Sequence, residues 1–321
     1  MESNPEQIKL VIIQGPTASG KSELAVALAE RFSGEIVNAD SMQVYRGMDI
    51  GTAKPTREMR ERIPHHLLDI IEPDQPFSAA DFRRSAEKAI HDIHGRGKRV
   101  LIVGGTGLYI KALTKGLIDS PGGDETLREE LKELARSRGN LELYKRLSLV
   151  DPATAEKLHP NDLVRVIRAL EVHEMTGRSI SEFRNRHRFC EISGYSCLKL
   201  GMAIDRAELY NRIDERVDRM MEQGFMEEVK NLHSRGYSPD LKPMRSLGYR
   251  HICSFLAGEY SLEDAVNILK RDTRRYSKRQ MTWFRKDDEI KWFEYSSNVA
   301  IISNIVIEFY CKGAGYGKST I

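Results

Sequence analysis

The chain has 321 residues, 30% of them charged and 40% hydrophobic, and a formal net charge of +3. That length holds one large domain or two moderate ones, and so small a net charge neither demands nor excludes a nucleic-acid partner. No membrane span is expected, because no apolar run approaches about 18 residues; the polar stretch Met1 to Lys9 is unlike a secretory signal, and the scattered Cys190, Cys197, Cys253 and Cys311 fit a reducing cytosol better than a disulfide framework or zinc site.

The apolar run Leu10–Ile13 predicts a buried strand, and Leu24–Phe32 predicts a helix. Between them, Gly15-Pro16-Thr17-Ala18-Ser19-Gly20-Lys21-Ser22 fits the pattern G-x-x-x-x-G-K-[ST] at every fixed position. In that setting the loop N–H groups and the helix N-terminus form an anion site. Lys21 adds positive charge, and the Ser22 hydroxyl can hold Mg²⁺ bound to phosphates. A di- or triphosphate is therefore the expected ligand of Gly15, Thr17, Ala18, Ser19, Gly20, Lys21 and Ser22. Glu35–Asn38 predicts a second strand and Leu67–Ile71 a third. Ser78–His94 predicts a helix with Ser78 as N-cap and Asp81 in its first turn. Arg99–Val103 predicts a strand running into Gly104-Gly105-Thr106-Gly107. This rhythm predicts an α/β fold, a P-loop NTPase-like parallel sheet with helices on both faces.

Asp119-Ser120-Pro121-Gly122-Gly123 is a linker signal. From Asp124 to about Thr176 the pattern is helix after helix, punctuated by Pro152 and Pro160, which predicts an all-helical insertion. Lys199–Ile204 returns to the sheet, followed by a long helix from Arg206 to about Ser234, a basic helix over Ser261–Phe284, a last strand at Glu289–Tyr295 and a helix over Val299–Tyr310. The segment Gly313 to Ser319 imitates a second phosphate loop, but Lys312 stands where the first glycine belongs and no helix can follow. The expected division is thus a core of 1–118 and 199–312, an insertion of 119–198, and a disordered tail of 313–321.

Motor ATPases and GTPases need an apolar strand ending in an acidic residue that serves Mg²⁺. Here Val100–Val103 runs into glycines and Thr106, whereas the second strand leads into Asn38-Ala39-Asp40-Ser41. Ligands of open α/β sheets bind at the carboxyl ends of strands, so the phosphate loop, Asp40 and Thr106 are expected in one crevice. A plainer reading makes Asp40 a helix cap before Ser41–Tyr45 and Thr106 a turn residue; spacing alone does not separate the two.

The segment Asp40 to Pro55 (DSMQVYRGMDIGTAKP), with Gly15–Ser22 and Gly104-Gly105-Thr106-Gly107-Leu108-Tyr109, closely resembles the tRNA dimethylallyltransferase (tRNA isopentenyltransferase, IPP transferase) family. Further matches are His159-Pro160-Asn161-Asp162, Arg165 to Val172, Thr176-Gly177, Met244 to Arg250 and Lys278 to Arg285, so the resemblance spans roughly residues 8 to 295. It implies transfer of a dimethylallyl group from dimethylallyl diphosphate to N6 of the adenosine 3′-adjacent to the anticodon, in tRNAs reading codons that start with U. By the same resemblance Asp40 is the general base, Thr106 bonds the bridging oxygen of the leaving diphosphate, and Arg216, with Arg212 as its competitor, contacts the diphosphate. Asp40, Ser41, Met42, Gln43, Arg165, Arg168, Arg245, Gly248, Tyr249 and Arg250 are carried over as tRNA-contacting residues, the insertion acting as a clamp on the anticodon stem-loop. Mg²⁺ is the implied cofactor, and a cytoplasmic monomer with an ATP-type phosphate loop the implied setting. The diphosphate would occupy that loop without a hydrolysis apparatus.

Charge distribution favours RNA independently. Arg184, Arg186 and Arg188 alternate with Asn185 and His187, and Lys270, Arg271, Arg274, Arg275, Lys278 and Arg279 crowd one helix. On it Arg271, Arg275 and Lys278 are expected to face outward with Arg285, and Leu269, Tyr276 and Trp283 to dock on the core. Two rival functions stand beside this one: a small-molecule or nucleotide kinase using the insertion as a lid, and a non-catalytic RNA-binding protein with a vestigial loop.

Overall fold

A computed structural model of the chain describes residues 7–186, 194–294 and 299–311. His187, Arg188, Cys190 and the expected tail at 313–321 lie outside the described residues. The described chain falls into two compact units, one made of residues up to 114 and from 194 onward, the other beginning at 115 and ending at 186.

The larger unit begins with β1 (Ile8–Gln14), α1 (Lys21–Arg31), β2 (Gly34–Asn38), α2 (Arg57–Arg62), β3 (His65–His66), α3 (Ala79–Gly95), β4 (Arg99–Gly104) and α4 (Gly107–Lys115). The smaller contains α5 (Glu125–Arg138), α6 (Asn140–Val150), α7 (Pro152–Ala155), α8 (Leu163–Thr176) and α9 (Ile180–Arg186). The chain then returns with β5 (Tyr195–Ala203), α10 (Arg206–Glu222), α11 (Phe225–Ser234), α12 (Tyr249–Leu256), α13 (Leu262–Phe284), β6 (Ile290–Glu294) and α14 (Val299–Cys311).

The strands form one parallel sheet in the order β3-β2-β4-β1-β5-β6. Both faces are covered, which is why β1 and β4 read as unbroken apolar runs instead of alternating ones. Successive side chains still divide between the faces. Leu10, Ile12, Val37 and Ile102 pack with Phe82, Ile90 and Phe284 on one side, while Val11, Ile13, Ile36 and Val103 pack with Leu24, Leu28, Ile302 and Val306 on the other. The helical unit has its own core of Leu131, Leu143, Leu147, Val166 and Leu170. Beside it Glu171, fully buried, receives Arg128 Nε at 2.8 Å, the Asp124 N–H at 2.8 Å and the Arg168 guanidinium. A buried carboxylate is tolerable only when its lone pairs are met in this way.

Three local expectations change. No strand forms over Leu67–Ile71: the two-residue β3 lies just before it at His65–His66, the backbone turns left-handed at Leu67 (φ 64°) and Asp69 (φ 54°), and Ile71 forms a single bridge to Tyr45. The long helix from Arg206 divides into α10 and α11 at Gly224, whose φ is 94°. Trp283 is 43% exposed instead of docked; Phe284, one residue on, takes the core position.

Gly104 is dictated by crowding. A Cβ there would lie 2.1 Å from the Ala39 carbonyl oxygen, a backbone atom that cannot swing aside. Gly104→Ala is accordingly expected to cost about 3 kcal/mol through overpacking, read as a lowered urea midpoint with an unchanged slope. A midpoint equal to wild type would show that the strand ends can part freely.

Candidate functional site

The phosphate loop leaves β1 and reaches α1 through Gly20, which caps the helix in the left-handed region (φ 79°) where a Cβ is penalised. Ser19 Oγ donates to the Pro16 carbonyl at 2.9 Å, and Lys21 Nζ donates to the same oxygen at 2.5 Å. Ala18 is also left-handed (φ 63°), curling the loop. Successive N–H groups on such a curl, at the positive end of a helix, attract anions.

Asp40 follows the end of β2, and Thr106 follows the end of β4. The Thr106 hydroxyl accepts the Ser41 N–H at 3.0 Å, and the Thr106 N–H donates to the Ala39 carbonyl at 3.2 Å. Asp40 Oδ1 accepts the Met42 N–H at 2.8 Å, so the turn-capping reading holds for one oxygen; Oδ2 has no hydrogen bond among the described residues. Thr17, Lys21, Ser22, Asp40, Gly105 and Arg216 all line one cavity of about 160 Å³. Its walls are also apolar, from Val103, Ile213, Val217, Met220 and Leu269.

Arg216 is the arginine that reaches the loop, with Nη1 donating to Thr17 Oγ1 at 3.3 Å, whereas Arg212 pairs with Glu208 at 2.9 Å. A wider cleft of about 620 Å³ shares Lys21, Ser22 and Arg216 and adds Arg212, Arg219 and Lys54. Burial first, and the Arg216 charge second, lower the Lys21 ammonium to about 8, while Asp40 and Glu23 pull it back up. Burial likewise lowers Arg216, again with Asp40 and Glu23 opposing. Two cations thus share a poorly solvated place, an arrangement that a bound anion relieves.

The remaining expected contact residues separate. Ser41 and Met42 adjoin Asp40 and are partly exposed, and Gln43 Nε2 donates to the Thr52 and Ala53 carbonyls at 3.0 and 3.1 Å. Gly248 lines the cavity. Arg245 is exposed, and Arg250, also exposed, pairs with Asp272 at 2.7 Å. Tyr249 does not face solvent: it is fully buried, and its hydroxyl donates to Glu228 at 2.6 Å. In the helical unit Arg165 is exposed and pairs with Asp162 at 3.1 Å. Arg168 instead turns back onto Glu171, the Pro121 carbonyl at 2.6 Å and Ser120 at 3.1 Å, fastening the stretch before α5 to α8.

The roles of several residues were not visible in the sequence. Gln280 accepts the Thr17 N–H at 2.9 Å and donates to the Gly105 carbonyl at 3.0 Å, tying the phosphate loop to the end of β4. Tyr276, one turn earlier, faces the cavity, and burial together with the Asp40 charge keeps its phenol protonated well above the usual range. Glu228 accepts the N–H groups of Asp49 at 2.8 Å, Ile50 at 2.7 Å and Gly51 at 3.1 Å besides the Tyr249 hydroxyl. Only the helical spacing of Thr273, Tyr276 and Gln280 could have marked that face of α13, and the basic residues around it mask the pattern.

The IPP transferase family model matches residues 43–287. A tRNA dimethylallyltransferase 2 of Geotalea uraniireducens is 63% identical over 310 residues, 97% of this chain and 100% of the relative. A tRNA dimethylallyltransferase of Geobacter sulfurreducens is 60% identical over 302 residues, 94% of this chain and 97% of the relative. Among solved structures, the tRNA isopentenylpyrophosphate transferase of Bacillus halodurans superposes with a TM-score of 0.71 at 41% identity, covering 95% of this chain and 97% of that one. A eukaryotic dimethylallyltransferase crystallised acting on tRNA gives a TM-score of 0.79 at 31% identity over 94% of this chain and 80% of that one.

Lys21, neutral above a pKa of about 8 in the free protein, must regain its proton to meet an anion. Calorimetry with inorganic pyrophosphate just above that pH is expected to show more proton uptake for wild type than for Lys21→Met, and affinity should fall as pH rises through 8. Equal proton uptake in the two proteins would show that Lys21 does not meet the anion. Removing Glu228 strips four donors of their shared acceptor. Glu228→Ala should lower unfolding free energy by about 2–4 kcal/mol in denaturant titrations.

Proposed function

The chain belongs to the IPP transferase family, and we propose that it transfers a dimethylallyl group from dimethylallyl diphosphate to tRNA, at N6 of the adenosine 3′-adjacent to the anticodon. The observation that carries this reading is the meeting, in one partly apolar cavity, of a phosphate loop, a carboxylate and no acidic tip on β4. A nucleotide hydrolase needs that tip; a prenyl diphosphate needs only a grip on its leaving group and a dry wall. The kinase alternative is not favoured by relatives this similar over nearly their whole length.

In the proposed reaction the diphosphate sits on the loop N–H groups between Lys21 and Arg216, whose charges oppose the charge that grows as the allylic C–O bond breaks. Thr106, whose hydroxyl accepts the Ser41 N–H, would hydrogen-bond the bridging oxygen. Val103, Ile213, Val217 and Met220 keep water from the cationic allyl carbon. The adenine must leave its stack to enter so small a cavity. As N6 attacks the carbon, its proton passes to the free Oδ2 of Asp40, while Met42 holds Oδ1 in place. The products are the N6-prenylated adenosine, diphosphate and a protonated Asp40, which returns its proton to solvent.

No group of three or more His, Cys, Asp or Glu side chains is placed to cage a metal among the described residues. The Ser22 hydroxyl lines the cavity beside Asp40, which suits an ion that arrives with the diphosphate and keeps several waters. Held by Ser22 and the diphosphate, Mg²⁺ would neutralise part of the leaving-group charge.

Partly exposed Ser41 and Met42 and exposed Arg245 and Arg250 are the proposed tRNA contacts of the larger unit, and exposed Arg165 that of the smaller. No described helix is long and apolar enough to cross a membrane. A cytoplasmic monomer acting on tRNAs that read codons starting with U completes the reading.

Incubating the chain with labelled dimethylallyl diphosphate, Mg²⁺ and unmodified tRNA, without ATP, should give labelled N6-prenyladenosine. ATP-dependent phosphorylation with no prenyl transfer would falsify the proposal. Asp40→Asn should lower kcat roughly 10²- to 10⁴-fold with tRNA affinity retained, and Thr106→Val should lower kcat more than it raises KM for the prenyl donor.

A further inference from the structure

Most polar side chains around the cavity have partners, but the amide nitrogen of Asn38 does not. Asn38 is 6% exposed and lines the cavity, and Nδ2 has no hydrogen bond among the described residues. Among the described residues, buried side-chain atoms without a hydrogen bond occur in Gln14, Asn38, His173, Ser246, Ser303 and Tyr310, and of these six Asn38 is the one that lines this cavity. A buried donor left unpaired is costly and calls for a reason.

Position supplies one. Asn38 is the last residue of β2 and pairs with Val103. By the two-residue alternation of a strand it shares the sheet face of Ile36, which packs with Leu24 and Leu28 of α1. That is the face from which Lys21 and Ser22 begin α1. An apolar residue would suit this place, as Ile36 suits the position two before, yet the chain carries an uncharged N–H donor in the cavity that Lys21 and Arg216 also line.

We propose that Asn38 is a diphosphate-binding residue whose Nδ2 donates a hydrogen bond to a non-bridging oxygen of the prenyl diphosphate, beside Lys21 and Ser22. The inference rests on the prenyl-transfer reading, deepening it by one residue that the phosphate-loop motif does not contain. Asn38 then does in neutral form what a carboxylate cannot do at that spot: it approaches the leaving group without repelling it.

The test uses the full chain, with inorganic pyrophosphate plus Mg²⁺ as the probe in calorimetry. An unmodified anticodon stem-loop in a separate titration and thermal melts of the unliganded proteins complete it. Asn38→Ala is expected to weaken pyrophosphate binding roughly ten- to hundred-fold, to leave RNA affinity within about twofold, and to leave the melting temperature unchanged or higher, because an unpaired buried donor has been removed. Asn38→Ser, which keeps a donor, should recover part of the affinity. Pyrophosphate affinity within about twofold of wild type in Asn38→Ala would overturn the assignment. So would a lowered melting temperature with both affinities falling together, which is the mark of a packing role. Wild type failing to prenylate tRNA would sink the broader reading instead, and is scored in a separate assay.

Discussion

The carbonyl of Ala39 fills the space that a side chain at position 104 would need, and the crevice is organised around that contact. The Ala39 N–H donates to the Val103 carbonyl at 2.7 Å and its carbonyl accepts the Thr106 N–H at 3.2 Å, so the ends of β2 and β4 are bonded in both directions. Asp40 and Thr106 are the next residues outward from this junction, and Ser41 links them. A carboxylate at the tip of β4, the usual device for hydrolysing a nucleotide, has no room here. The close approach therefore brings the Asp40 carboxylate and the Thr106 hydroxyl to neighbouring strand ends.

Electrostatics act on a second level. Lys21 and Arg216 lie near each other in a poorly solvated region, with Asp40 and Glu23 as partial compensation. The loop on which Lys21 sits is tied through Gln280 to the end of β4. Charges held in place before a ligand arrives need little reorganisation when it binds.

Much of this was legible because the informative residues are local in sequence. The phosphate loop is one octet, the strands are unbroken apolar runs, and the linker at 119–123 is a cluster of turn residues. What was not legible depends on partners far along the chain. Tyr249 reads as an accessible aromatic until Glu228, on another helix, is seen to hold its hydroxyl. Arg168 reads as an RNA contact until the carbonyl of Pro121 and the buried Glu171 claim its guanidinium. Trp283 and Phe284 differ by one helical step, about 100°, and the basic residues around them give no signal to choose between them. Charge and aromaticity in a sequence mark capacity for contact, whereas tertiary partners decide whether the capacity is spent internally.

The bridge through Gln280 also has a consequence in time. Thr17 and Gln280 are 263 residues apart, and Glu228 reaches Ile50 across 178. A chain emerging from the ribosome produces its anion loop well before the helix that fastens it. Contacts of such separation pay their loop-closure entropy before they return any stabilisation. Until α13 is made the growing protein thus carries a phosphate loop without its fastening, and the competence to handle a reactive prenyl donor waits for that helix.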